Sequence, residues 1–220
     1  MSLLQITLNK RAAKNPWIRM GQYSIEEGRV LTEAARSAIE LYLTSPRFSA
    51  KMITVQLRQF EREHGVFVTI EHYPTRTVRG CIGFARGIRP LPELLVQSAI
   101  AAASEDPRFV PVSHLEFEHM VVEVDILSKP VRLSGTAHKI RKAIKPERDG
   151  LIIEYGYRSG TMLPSAAADN GWAAEEFLEN LCASAGLERH TWHNAGAKLY
   201  RFTVEAFRES SPRGKVEKVA

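Results

Sequence analysis

The segment Val78–Phe84, VRGCIGF, constrains this chain more than any other. Its composition favours a strand, yet it holds two glycines, and glycine weakens a strand unless a bulge or a close backbone contact calls for it. One consequence is packing. Gly80 and Gly83 mark where another part of the chain comes close, and Cys81 fills space as a small buried hydrophobe. The other consequence is chemistry. Side chains alternate along a strand, so Arg79 and Cys81 share one face while Val78, Ile82 and Phe84 share the other. A guanidinium beside the thiol lowers its pKa from a free value of about 8.5 and favours a nucleophilic thiolate. Tight packing at the glycines favours a buried Cys81 and makes Arg79 the more functional of the two.

The surrounding elements alternate in kind. Ser24-Ile-Glu-Glu27 is a capping box, and behind it Leu31, Ala35, Ala38, Ile39 and Tyr42 recur at helical spacing up to Pro46. Residues 65–71, rich in β-branched and aromatic side chains, predict a strand, with His72, Tyr73 and Pro74 as the turn into VRGCIGF. A helix opens at Pro90, with Pro92 and Glu93 in its first turn. It buries Leu91, Leu95, Ala99 and Ala102, and stops at Asp106-Pro107. In Met120–Leu127, Val122, Val124 and Ile126 face one way, Glu123 and Asp125 the other. Residues 151–157 predict a strand. Residues 172–185 predict a helix burying Ala174, Leu178, Leu181, Cys182 and Ala185, with Gly186 as its left-handed stop. Residues 199–207 alternate again, with Tyr200, Phe202 and Val204 toward the core. No regular βαβ rhythm connects these pieces, so the fold class is α+β with a mixed or antiparallel sheet.

Several function classes are disfavoured. The hydrophobic fraction of 44% and charged fraction of 25% are those of a soluble globular chain. No run approaches the roughly 18 apolar residues of a membrane helix, and the first twenty residues lack the apolar core of a secretory signal. The expected compartment is cytoplasmic, with no membrane partner. Cys81 and Cys182 form neither a disulfide framework nor a zinc pattern, and the seven histidines make no HExxH. No metal and no cofactor are expected. The net charge of +5 is concentrated in residues 129–148. Aromatic residues do not interleave with these charges as single-strand binders require, so a solvated face is favoured over a nucleic-acid footprint.

Two further groups carry potential chemistry. SEDPRF places Glu105, Asp106 and Arg108 just after a helix end, and Glu123 and Asp125 share a strand face. Carboxylates so placed near arginine make either an acid/base pair or an ion-pair network, the network being the commoner outcome.

VRGCIGF resembles the Arg-Gly-Cys-Ile-Gly hallmark of the AMMECR-type domain family. DPRF at 106–109 followed by Pro111, Leu163-Pro164, Gly171-Trp172 and LCASAGL at 181–187 fall in that family's order and approximate spacing. The resemblance covers roughly residues 25–207, with Val78 in place of the usual leucine. It implies an α+β fold of two unequal lobes flanked by helices, the larger built from both chain ends, with Arg-Gly-Cys-Ile-Gly near a cleft between lobes. An irregular arm over 1–23, a domain over 24–207 and a flexible tail over 208–220 are the expected organisation. The family's activity is not established. Its association with Memo-like and radical-SAM proteins implies such partners and a role in a macromolecule-modification pathway. The candidate site is then Cys81 as nucleophile, with Arg79, Gly80, Gly83, Asp106, Arg108 and Glu123 as binding residues. A non-catalytic adaptor, or an RNA-binding module using residues 129–148, are the alternatives.

Overall fold

The structure, a computed structural model, describes residues 23–45 and 49–220. The arm expected before Tyr23 and the helix stop expected at Pro46 lie outside the described residues. Helices α1 (Ile25–Thr44) and α2 (Lys51–Thr54) come first, and α2 runs on into a 3-10 turn, Val55–Phe60. Strands β1 (Gly65–His72) and β2 (Val78–Phe84) follow, then α3 (Leu91–Ser104) and α4 (His114–Phe117). The chain continues through β3 (Met120–Leu127), β4 (Val131–Leu133), α5 (Ala137–Ala143), β5 (Asp149–Tyr155) and β6 (Arg158–Met162). It closes with α6 (Pro164–Asn170), α7 (Ala174–Ser184), a 3-10 turn Thr191–His193, β7 (Lys198–Glu209) and β8 (Val216–Lys218).

All described strand pairs are antiparallel, in the order β2-β1-β3-β7-β5-β6, with β4 and β8 also on β7. The fold is α+β, and the open choice between a mixed and an antiparallel sheet resolves to antiparallel. β7 is the common spine. Its C-terminal half pairs with β3 and β8, its N-terminal half with β5 and β4.

Two unequal apolar cores form on this sheet. In the larger, α1 and α3 cover Val66, Val68 and Ile70 of β1 and Val122, Val124 and Ile126 of β3. The Ser24–Glu27 capping box forms as the sequence predicts, and Leu31, Ala35, Ala38 and Ile39 are buried. Each large aliphatic side chain removed from water here stabilises the fold by roughly 1.5–3 kcal/mol. Tyr42, expected on the same stripe, is instead exposed, while its neighbours Leu41 and Leu43 pack against the core. Within this core Arg36 meets Glu209 through Nε and Nη2 at 2.5 and 2.6 Å, and also donates to the Met120 carbonyl. Glu209 Oε2 also accepts the Val122 amide at 2.9 Å, so both carboxylate oxygens are engaged.

In the smaller core, α7 packs Phe177, Leu178, Leu181 and Cys182 against Leu151, Ile153 and Leu199. Helix α7 is two residues shorter at its start than expected, and Gly186 takes the left-handed conformation foreseen for it (φ 66°). A third cluster joins the lobes: Leu127, Val204 and Ala206 meet Ile152 and Phe202, with Phe67, Ala85, Leu163 and Tyr200 half-buried around them. The expectation of a flexible tail over 208–220 does not hold. β8 pairs with β7, and Val216 is buried in the larger core.

Candidate functional site

Strand register builds the site. The helix-covered face of β1 and β3 takes the even-numbered side chains, so the odd-numbered ones project from the opposite face, toward the other lobe. Across four strands, Cys81, Thr69, Glu123 and Arg208 stand directly opposite one another in one row. The next row holds Gly83, Phe67, Asp125 and Ala206. Glu71 lies on β1 beyond the first row, opposite Val121. The Arg208 guanidinium bridges two rows, 3.2 Å from Glu123 and 3.9 Å from Glu71. Arg76, in the β1–β2 turn, approaches Glu71 to 3.7 Å while donating to the carbonyls of Glu209 and Ser210.

Three carboxyl groups are thus crowded on a buried face with two guanidiniums against them. Burial, then the charge of Glu71, pushes Glu123 up to about 7, against the pull of Arg208 and Arg76. Asp125, 4% exposed, sits between Phe67 and Ala206 in its row, and burial raises it well above the carboxylate range, with Glu123 and Glu71 adding to the effect. Glu71 is also raised by burial, with Arg208 and Arg76 opposing and Asp169 of α6 adding. Its Oε2 is buried without a hydrogen-bond donor. Such a cluster holds protons at a pH where ordinary carboxylates have lost them, which is the condition for general acid–base work.

Cys81 is half-buried. Its amide donates to Asp106 Oδ2 at 2.8 Å, away from β1, so Thr69 and Cys81 form a non-hydrogen-bonded pair, in which side chains come closer. The Thr69 hydroxyl accordingly donates to Cys81 Sγ at 3.2 Å. Burial pushes the thiol up to about 11; the Thr69 hydrogen bond and the Arg108 charge only partly oppose it, and Asp125 and Asp106 add to it. The thiol is therefore neutral at physiological pH. It lacks the activated thiolate that the Arg79 spacing suggested.

Arg79 is the cause of that difference. A β-bulge between Ile70 and Glu71 opposes Gly80 to Ile70 and Val78 to Glu71, leaving Arg79 as the extra residue. Its guanidinium goes to Glu116 of α4 at 2.7 and 3.2 Å and to the Val110 carbonyl at 2.9 Å, and it lies over the Phe109 ring. Arg79 is therefore a clamp on the α3–α4 connection and is not the thiol's cationic neighbour. The glycines are packing positions. A Cβ on Gly80 would stand 2.1 Å from the Ala102 carbonyl oxygen of α3, and one on Gly83 2.3 Å from that of Val66.

Asp106 and Arg108 do come to the strand. Asp106 is held by a fork from Arg108 at 2.9 and 2.7 Å and accepts the amides of Cys81 and Arg108. The Arg108 hydrogen bonds, then these amides, lower its pKa to about 2. The DPRF and RGCIG segments, 25 positions apart, thus meet at one strand edge. Glu123 lies across the sheet in the Cys81 row. Thr69, Glu71, Arg76 and Arg208 were not singled out by sequence. The signal for the first two was the alternation Phe67, Thr69, Glu71 inside GVFVTIEH; Arg76 and Arg208 gave none.

The other groups lie elsewhere. In the basic stretch 129–148, Arg141 pairs with Glu175 and Arg148 with Asp149, while Lys139 and Lys142 are exposed. Among the described residues, no group of three or more His, Cys, Asp or Glu is arranged to hold a metal ion, and no helix is long and apolar enough to cross a membrane.

Comparison with known proteins gives this geometry its context. A protein of Thermofilum pendens is 41% identical over 208 residues, which cover 90% of this chain and 96% of the relative. Protein MJ0810 of Methanocaldococcus jannaschii is 42% identical over 195 residues, covering 88% and 95%. The crystal structure of the uncharacterized protein PH0010 from Pyrococcus horikoshii superposes with a TM-score of 0.82 at 40% identity, covering 88% of this chain and 96% of that one. The AMMECR1 family model matches residues 32–207, from the second turn of α1 to the C-terminal half of β7. This chain is a member of the AMMECR1 family.

Proposed function

We propose that the inter-lobe face of β2, β1, β3 and β7 is a proton-exchanging site that takes up part of a macromolecular substrate in a modification pathway. The observation that carries this reading is the convergence of Glu71, Glu123 and Asp125 on one sheet face where, among the described residues, Arg208 and Arg76 oppose them. A purely structural ion-pair network balances its charges, as Arg36 and Glu209 do in the larger core; this face does not. Glu123 is the acid–base group and Asp125 holds the second proton. Cys81 and Thr69 line the row as neutral hydrogen-bonding groups, and Asp106 with Arg108 fixes the strand that carries them. The Memo-like and radical-SAM partners implied by the family resemblance belong to this proposal.

Carbon-13 NMR of the side-chain carboxyls tests it. One group should titrate near 7 in the free protein and vanish from the spectrum of Glu123→Gln. Ionisation of all three carboxyls below about pH 5, the ordinary range, would overturn the reading and leave the adaptor as the better description.

A further inference from the structure

We propose that the smaller lobe holds a second binding site, in the cavity walled by Trp192, for a small neutral molecule with an aliphatic body and a carbonyl oxygen. The cavity shares no residue with the inter-lobe carboxyl row, and its occupancy does not depend on how that row works.

The cavity has a volume of about 260 Å³. It lies between the β4–α5 connection and the chain that runs from the Thr191–His193 turn into β7. Leu133 and Leu199, opposite each other in the β4–β7 pair, form an apolar floor with Trp192 and with Ala137 and Ile140 of α5. Ser134, His193 and Asn194 are exposed and form its mouth. The Trp192 side is held by its own turns: the Asn194 amide donates to the Thr191 carbonyl and the Ala197 amide to the Asn194 carbonyl, both at 2.9 Å. A pre-formed apolar hollow with few polar groups is the form a small-ligand site takes. Drug-sized ligands fill roughly 300–1,000 Å³, so this one suits a smaller molecule.

The independent observation is a donor with nothing to donate to. Trp192 is only 2% exposed, and its indole Nε1–H, a group that donates and never accepts, meets no acceptor among the described residues. Buried polar groups in folded proteins are nearly always paired, so an orphan in a cavity wall marks where a ligand atom completes the bond. The ligand therefore brings an acceptor.

The surroundings decide the charge of that acceptor. No Asp or Glu lines the cavity among the described residues, so an ammonium would enter without a counter-charge. Arg132 lines it, but alternates with Leu133 on β4 and stands opposite Tyr200, so its guanidinium does not share the apolar floor. A carboxylate against Trp192 would thus be buried without a cation, which costs far more than burying a neutral carbonyl. A ketone, ester or amide oxygen satisfies the indole N–H and carries no charge to desolvate, while its aliphatic body covers Leu133, Ile140 and Leu199.

Proton–nitrogen NMR of the assigned Trp192 Nε1–H, with cyclohexanone as the probe, tests the inference. The indole signal should move downfield and saturate as cyclohexanone is added. Cyclohexylammonium and cyclohexanecarboxylate, which carry the same ring with a charge, should each bind at least about tenfold more weakly (~1.4 kcal/mol). Ala137→Phe, verified as folded by circular dichroism, fills the hollow and should abolish the saturable shift. Absence of a saturable shift of the Trp192 signal would overturn the site. Equal or tighter binding of the carboxylate or the ammonium would overturn the neutral ligand, and unchanged affinity in folded Ala137→Phe would overturn the cavity as its location.

Discussion

Val68 and Thr69 are chain neighbours in β1, and they look into two different environments. Val68 joins Val66 and Ile70 under α1 and α3, where nearly every neighbour is apolar and the one buried ion pair, Arg36 with Glu209, has its hydrogen bonds made. Thr69 joins Phe67 and Glu71 on the other side, where buried Glu71 and Asp125 and half-buried Glu123 share two guanidiniums, and Glu71 Oε2 meets them only at 3.7 and 3.9 Å, beyond hydrogen-bond range. The same strands in the same register hold both faces. The difference teaches that burial alone does not mark a core. Polar groups that are buried and fully paired belong to the fold, whereas those buried and left short are maintained at the expense of stability, as functional sites are.

Three experiments sharpen or break this comparison. The largest effect belongs to the helix-covered face: Arg36→Ala leaves Glu209 buried and unpaired, and chemical denaturation should show a loss of about 3–5 kcal/mol. A loss under about 1 kcal/mol would mean that this pair is no better engaged than a surface one.

On the inter-lobe face the sign reverses. Glu123 has a folded-state pKa raised from 4.5 to about 7, so the folded chain binds more protons than the unfolded chain between those values. The contribution of Glu123 to stability accordingly falls as pH rises through that window and is flat above it. Glu123→Gln should reduce that slope, leaving the part due to Asp125 and Glu71, and stabilise the protein above pH 7 by up to about 3 kcal/mol from the size of the shift. Thermal melts of both proteins across the window are the measurement; parallel curves would show Glu123 to be an ordinary paired carboxylate.

The smallest effects come from exchanging the neighbours themselves. Val68→Thr buries a hydroxyl among apolar side chains and should cost about 1–3 kcal/mol. Thr69→Val removes only the hydrogen bond to Cys81 Sγ and should cost about 1 kcal/mol or less, while slowing thiol alkylation at alkaline pH because the thiol pKa rises further. Equal costs for the two would erase the distinction between the faces.

How much of this was readable in the chain follows the same division. Val122, Val124 and Ile126 announced the helix-covered face by period, and the Ser24–Glu27 box announced α1, because both signals are local. The separate face holding Glu123 and Asp125 was legible too, but its burial was not, since that depends on tertiary packing such as the third apolar cluster. Short elements such as β4, β6, β8 and α6 escaped, being held by tertiary contacts more than by their own propensity. Arg79 escapes the alternation because Gly80 signals a bulge or a close contact without saying which: the bulge leaves one residue unpaired and turns aside a side chain that strict alternation places beside Cys81. The bond from Asp106 to the Cys81 amide was equally invisible, although both motifs had been noticed separately.

That last bond has a consequence for how the molecule behaves in a crowd. β2 stands at one end of the sheet, and an outer strand with free amides is a template on which another chain can add a strand. At Cys81 the outward amide is already taken by a carboxylate that Arg108 keeps ionised down to about pH 2. Asp106 therefore closes this position of the border to an incoming strand under any physiological acidity, and Asp106→Ala would open it.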